Sequence, residues 1–358
     1  MTFNEPLKIL VVDDSLIYRK AVRDVLASIP NVEVVGVAAN GVQALEKIES
    51  LRPDLLTLDV EMPELDGLSV LKLLAVEHPR VGAIMLSGTN QRGAAITAKA
   101  LRLGAFDFVV KCASDSATES ARLLRRELEP RIEAYAMMRG KSKPDVSPQK
   151  SKVCVVRTAL PKTVEVVAIG ISTGGPAALA TLLPTLPADL PAPVLIVQHM
   201  PPVFTKSLAD DLNRTCRLHV REASNGECAS AGDVLIAPGG MQMKVAKTHQ
   251  GLIIRVTDDP PENNCRPSVD FLYRSLAEQC GENTLAVVMT GMGNDGSLGC
   301  RLLKRKGARI IAQDETSCTV FGMPRKPIEE GLADCVTPLN GLTQQIVRLA
   351  TRRETLCS

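Results

Sequence analysis

Short apolar runs alternate with stretches of helical periodicity over the first 138 or so residues. The runs are KILVV, VEVVGVA, DLLTLD, GAIMLS and FDFVV, and the helical stretches fall at about 15–28, 41–51, 65–77, 90–103 and 117–138. Continuous apolar runs rich in β-branched residues suit strands covered on both faces. Five of them alternating with five helices predict an α/β unit, (βα)5, with a parallel sheet. RGKSKPDVSPQKSK at 139–152 breaks the pattern with five basic residues, one acidic residue and two prolines, the composition of a linker. Beyond it VEVVAIG, PVLIVQH, DVLIAP, GLIIRV, TLAVVMT and ARIIAQ predict strands, with helices near 176–183, 205–214, 268–280, 297–306 and 340–351. A second α/β domain, doubly wound and mostly parallel, is expected. The division drawn from the pattern is 1–125, a connecting stretch 126–158 that includes the end of the last helix, and 159–358.

Composition narrows the function classes. With 358 residues, 45% hydrophobic and 23% charged, the chain exceeds what one core usually organises, so two globular domains fit and a disordered or fibrous protein does not. Lys plus Arg number 42 against 40 Asp plus Glu, a net +2 that provides no field for nucleic acid or an anionic membrane. Aromatic residues make up 3% with no Trp, too little for base-stacking platforms. No helix-turn-helix spacing or basic recognition helix appears in the second half, which argues against a DNA-binding output. Ten cysteines without a C-x-x-C suggest neither a zinc ribbon nor a disulfide framework, and fit a reducing cytoplasm. No run approaches the roughly 18 apolar residues of a membrane span, so no membrane insertion is expected.

Parallel strands all end at one edge of their sheet. Asp13 and Asp14 after KILVV, and Asp59 after LLTL, should therefore meet in one crevice. Three converging carboxylates repel unless a hard cation joins them, and few carboxylates with room for water suit Mg²⁺. Each acid alone could be a strand-end or capping residue. Ser87 after the fourth strand and Lys111 after the fifth bring a hydroxyl and an ammonium to the same edge, which together suit phosphoryl transfer onto Asp59. Residues 8–111 resemble a response-regulator receiver domain, and Asp59-Val60-Glu61-Met62-Pro63 with Asp66-Gly67 resembles the phosphoacceptor loop of chemotaxis methylesterases. The resemblance implies that Asp59 is the phosphoacceptor, that Asp13 and Asp14 hold Mg²⁺ with it, that Ser87 is the switch hydroxyl and that Lys111 pairs with the phosphate. In that family Pro usually follows the Lys, whereas Cys112 follows Lys111, which predicts a trans bond and an altered loop there.

In the second half VEVVAIG runs into Gly170-Ile171-Ser172-Thr173-Gly174-Gly175-Pro176, placing Ser172 on G-x-S-x-G between a strand and a helix. Such an elbow exposes a hydroxyl beside backbone N–H groups, although glycine-rich turns of this kind also cradle phosphates. His199 ends the strand VLIVQ, and it is the one of four histidines so placed. Asp295 lies in Met289-Thr290-Gly291-Met292-Gly293-Asn294-Asp295-Gly296 after TLAVV, where the glycines suit a tight loop, a turn or a cap. A hydroxyl, an imidazole and a carboxylate at three strand ends meet the requirement for a Ser-His-Asp triad. The order Ser172, His199, Asp295 differs from that of α/β-hydrolases.

Residues 164–338 are similar to the catalytic domain of the CheB family, the response-regulator protein-glutamate methylesterases. The matching stretches are Gly170 to Gly175, Gln198 to Pro202, Phe204 to Ser207, Ala237 to Gly240, Arg266 to Asp270, Thr290 to Gly296 and Ala312 to Pro324. Gln242 stands where the family commonly has His; the expected triad histidine is elsewhere, so no effect on the chemistry is expected. The resemblance implies hydrolysis of γ-glutamyl methyl esters on methyl-accepting chemotaxis receptors, with deamidation of glutamines there. Ser172 would be the nucleophile, His199 the base, Asp295 its orienter, and Thr173 and Met292 would support the oxyanion. It implies Mg²⁺ for receiver phosphorylation and no cofactor for ester hydrolysis. A chemotaxis-type histidine kinase would be the phosphodonor, and recruitment to receptor arrays in the cytoplasm is expected. The competing reading is a receiver whose second domain only binds a partner.

Overall fold

The computed structural model describes residues 5–111, 116–140 and 163–351. The chain divides into two compact units, Met1–Asp145 and Val146–Ser358.

The first unit alternates β1 (Leu7–Val12), α1 (Leu16–Ala27), β2 (Val32–Ala38), α2 (Gly41–Leu51), β3 (Leu55–Asp59), α3 (Gly67–Glu77), β4 (Gly82–Ser87), α4 (Gln91–Arg102), β5 (Asp107–Val110) and α5 (Ala117–Gly140). All five strands are parallel, in the order β2-β1-β3-β4-β5. Every residue of β3 is buried, as a central strand covered on both faces requires. Four helices begin on a side-chain cap: Ser15, Asn40, Asp66 and Asn90 each accept an N–H three residues on. Each such cap contributes about 1 kcal/mol. Strand order reverses between β1 and β3, which opens a crevice at their carboxyl ends. At the opposite edge Tyr135 of α5 accepts the Gly82 N–H (3.0 Å), donates to the Asp54 carbonyl (2.8 Å) and meets Phe106 edge-on at 5.1 Å. α5 thus runs unbroken through the expected connecting stretch as far as Gly140; the remainder of that stretch, 141–158, lies outside the described residues.

The second unit comprises β6 (Val166–Ile171), α6 (Gly175–Leu182), β7 (Val194–Gln198), α7 (Phe204–Asn213), β8 (His219–Glu222), β9 (Cys228–Ala229), β10 (Asp233–Ile236), β11 (Gln242–Thr248), β12 (Gly251–Thr257), α8 (Val269–Gln279), β13 (Thr284–Val288), α9 (Ser297–Arg305), β14 (Arg309–Gln313), α10 (Arg325–Glu329), β15 (Cys335–Thr337) and α11 (Leu339–Ala350). Seven strands form one parallel sheet in the order β15-β14-β13-β6-β7-β10-β8. β6 lies between β13 and β7, so the chain winds outward from it in both directions. The α/β class and parallel sheets expected from the sequence are present in both units. GLIIRV is the exception: as β12 it belongs to a separate antiparallel sheet, β11-β12-β9. α8 covers β6 and β13 through Tyr273, which is fully buried and donates to the Val287 carbonyl at 2.8 Å. Among the described residues no helix is long and apolar enough to cross a membrane.

Candidate active site and phosphorylation site

Ser172 directly follows β6, and its backbone is held from three sides. Its N–H donates to the Thr290 carbonyl (3.0 Å), while its carbonyl accepts the Gly175 N–H (2.7 Å) and Gln198 Nε2 (3.1 Å). The glycines that follow are steric necessities. Gly174 has φ +77°, where a Cβ would lie 2.3 Å from Thr319 Oγ1, and a Cβ on Gly175 would lie 2.0 Å from Gln198 Oε1. Thr173 is buried, and its carbonyl accepts from Thr290 Oγ1 at 3.0 Å.

His199 follows the neighbouring β7, its N–H on the Ile171 carbonyl at 3.3 Å. Its Nε2 bonds Asp295 Oδ2 at 2.8 Å and its Nδ1 lies 3.7 Å from Cys265 Sγ. With Nε2 donating to the carboxylate, Nδ1 carries the lone pair that can accept a proton. No hydrogen bond joins Ser172 Oγ to His199; what brings the two residues together is the adjacency of β6 and β7.

Asp295 follows β13 on the other side of β6 and is 3% exposed. Its Oδ1 accepts from Ser268 Oγ (2.9 Å), Asn263 Nδ2 (2.9 Å) and the N–H groups of Asp270 (3.1 Å) and Gly296 (3.1 Å), and its Oδ2 accepts the Val269 N–H at 2.7 Å. Two of these donors belong to the first turn of α8, so the carboxylate sits at the positive end of that helix. Burial pushes the Asp295 carboxyl up, but the hydrogen bond and charge of His199 and the Val269 N–H outweigh it and hold the group at about 2. Burial likewise pulls the imidazolium down, but hydrogen bonds to Asp295 and Cys265 hold His199 up at about 9. Met292 is half-buried in the loop bearing Asp295, and its backbone N–H has no partner among the described residues.

Several residues that support this arrangement have no role that the sequence assigns. Gln242, fully buried, donates to the carbonyls of Pro260 (3.1 Å) and Cys265 (3.3 Å) and accepts the Ser268 N–H (2.9 Å). It thereby pins the segment from which Asn263, Ser268 and Val269 reach Asp295. Only the RPSVD stretch carried a signal for this segment, and that signal was resemblance rather than periodicity.

In the first unit Lys111 joins two of the expected acids: its Nζ lies 2.7 Å from Asp13 Oδ2 and 2.8 Å from Asp59 Oδ2. Carboxylate oxygens of Asp13, Asp14 and Asp59 lie within 4.8 Å of one another, with Asp14 exposed and the other two buried. Burial raises the Asp59 carboxyl to about 6, against the pull of the Lys111 hydrogen bond and charge and with the push of Asp13. Burial lowers Lys111, but its hydrogen bonds to Asp13 and Asp59 leave it above its ordinary value. Ser87 ends the adjacent β4, buried, with its hydroxyl on the Gly88 carbonyl at 3.3 Å and its own carbonyl accepting the Lys111 N–H at 2.8 Å. The altered loop expected at Cys112 lies outside the described residues.

The two units define a class: a receiver with an acid crevice, joined to a parallel-sheet hydrolase with a serine, a histidine and an aspartate at its switch point. Residues 9–121 match the response regulator receiver domain, and residues 167–346 match the CheB methylesterase family. A protein of Desulfotalea psychrophila named protein-glutamate methylesterase/protein-glutamine glutaminase is 45% identical over 95% of this chain and 98% of its own length. One of the same name from Archaeoglobus fulgidus is 43% identical over 96% and 97%. The crystal structure of the Thermotoga maritima CheB methylesterase catalytic domain matches with 43% identity and a TM-score of 0.51, over 52% of this chain and 99% of that one. The chain belongs to the CheB methylesterase family and is a hydrolase coupled to a response-regulator receiver.

Proposed function

We propose that this chain hydrolyses glutamate γ-methyl esters, and deamidates specific glutamines, on methyl-accepting chemotaxis receptors through Ser172, His199 and Asp295. The observation that carries the reading is the His199–Asp295 hydrogen bond of 2.8 Å beside Ser172, at three adjacent strand ends. Rotation of the Ser172 hydroxyl onto His199 Nδ1 lets the imidazole take its proton as Oγ attacks the side-chain carbonyl. The resulting oxyanion is met by the free Met292 N–H and by backbone at Thr173. His199 then passes the proton to departing methanol, or to ammonia from a glutamine. Water, deprotonated by the same imidazole, releases the acyl group from Ser172. Asp295 holds the ring in one tautomer and stabilises the imidazolium.

Asp59 is the proposed phosphoacceptor, supplied by a chemotaxis-type histidine kinase. The clustered oxygens of Asp13, Asp14 and Asp59, one acid exposed and two buried, fit a hard cation, and Mg²⁺ held there would neutralise charge on the phosphoryl group. Lys111, already bonded to Asp59, pairs with the new phosphate, and Ser87 turns its hydroxyl from Gly88 toward it. Action on the cytoplasmic part of receptors implies recruitment to receptor arrays.

The test is mass spectrometry of peptides from methylated receptors before and after exposure to the full chain. The reading predicts conversion of glutamyl methyl esters, and of selected glutamines, to glutamate; unchanged peptides would overturn it.

A further inference from the structure

We propose that Cys265 and His199 form a binding site for a thiophilic divalent cation such as Zn²⁺ or Cd²⁺, whose occupation reversibly stops ester hydrolysis. Cys265 Sγ lies 3.7 Å from His199 Nδ1, the nitrogen that faces away from Asp295. Tetrahedral zinc with Zn–S about 2.3 Å and Zn–N about 2.0–2.1 Å separates sulfur from nitrogen by about 3.6 Å, so the pair needs almost no movement to share an ion. The other ring nitrogen is bonded to a carboxylate, an arrangement that fixes the tautomer of metal-bound histidines and raises their basicity. Ligand atoms of His199, Cys265 and Asp295 lie within 4.8 Å of one another. The surroundings favour positive charge: Asn263 links Asp295 to a second carboxylate, Asp270, through bonds of 2.9 Å to each. Cys265 is half-buried at the rim, so the sulfur is within reach of solvent ions. Binding releases the thiol proton, and water fills the remaining positions.

The consequence rests on the triad reading, because a metal on Nδ1 occupies the lone pair that would take the Ser172 proton. The full chain, with acetyl phosphate and excess Mg²⁺, is titrated with Zn²⁺ while methanol release is followed, each variant being referred to its own metal-free rate. Wild-type activity is expected to fall and to return on chelation. Cys265→Ser should need at least about tenfold more Zn²⁺ for the same fractional loss, the low end of what weakening a metal's surroundings costs. In parallel Cd²⁺ is added and the thiolate-to-metal absorption recorded; the wild type should show a component missing from both Cys265→Ser and His199→Gln. Equal Zn²⁺ midpoints together with equal absorption in wild type and Cys265→Ser overturn the site. Absorption that depends on both residues with no loss of activity upholds the site and overturns instead the role of His199 as base.

Discussion

Replacing Asp295 by Asn changes one oxygen to an amide nitrogen and leaves the shape of the side chain intact. In the native site six donors converge on that carboxylate: His199 Nε2, Ser268 Oγ, Asn263 Nδ2 and the N–H groups of Val269, Asp270 and Gly296. An amide accepts at one end only. If its NH₂ faces His199, the imidazole must carry its proton on Nδ1, the wrong tautomer for accepting one from Ser172, and the expected loss in rate is about 10⁴-fold. Burial pulls the His199 imidazolium down, and loss of the carboxylate removes one of the two partners that hold it up at about 9, so the variant's imidazole should titrate lower. With neutral imidazole as the proposed base, wild-type kcat/KM should climb with pH until about 9, and the variant should reach its plateau at lower pH. At pH 7 roughly 1% of native imidazole is neutral, and a larger share should be neutral in the variant. The deficit of about 10⁴ above pH 9 should therefore narrow as the pH falls toward 7. Methanol release from methylated receptor across this range measures it, with Ser172→Ala as the blank for spontaneous ester hydrolysis. A variant whose profile parallels the wild type at every pH would refute the assignment of Asp295.

Gly291→Ala should cost both activity and stability, because the new Cβ would lie 2.8 Å from Ser172 Cβ and 2.3 Å from Sδ of the fully buried Met323. A shift of Ser172 by such a contact is expected to lower kcat about 10²-fold, and overpacking against Met323 to cost about 1–3 kcal/mol, as rates and calorimetry will register. Acetyl phosphate with Mg²⁺ should label Asp59 alone, giving an alkali-labile adduct that Asp59→Ala lacks; equal labelling of that variant would move the phosphate elsewhere. A fragment from about Val153 to Ser358 should hydrolyse esters faster than the unphosphorylated full chain, and acetyl phosphate should accelerate the full chain only. Initial rates at equal enzyme concentration decide this, and a fragment no faster than the intact chain removes inhibition by the receiver.

Buried parallel strands are written as continuous apolar runs, which is why β1, β3, β6, β7, β13 and β14 could be read from the chain. β12 shows the limit of that signal, since GLIIRV is equally apolar yet pairs antiparallel with β11. β15 (CVT) is a short edge strand with an exposed position, and nothing in so few residues separates it from loop, whereas the strand-like segment around His219 is the edge strand β8. The placement of Ser172, His199 and Asp295 at one edge follows from the sequence because each comes after a strand and a parallel sheet collects strand ends there. The donors around Asp295 were not legible, for they arrive from a loop in which Asn263 and Asn264 adopt φ of 53° and 59°. Their convergence depends on Gln242 bridging that loop to β11, a contact between residues more than twenty positions apart. In the sequence Gln242 is only a departure from the family pattern. Its bonds to Cys265 and Ser268 let it position the segment whose donors reach Asp295. Cys265 beside His199 was equally invisible, because sequence distance conceals a pair 66 residues apart.

If Ser172 is the nucleophile of an ester hydrolase acting on methylated glutamates, methanol release requires its hydroxyl. Initial rates of methanol release from methylated chemotaxis receptor, measured with equal amounts of folded wild type and Ser172→Ala, test it most directly. The account predicts steady release by the wild type and a rate for Ser172→Ala indistinguishable from receptor without enzyme; sustained turnover by the alanine variant would contradict it.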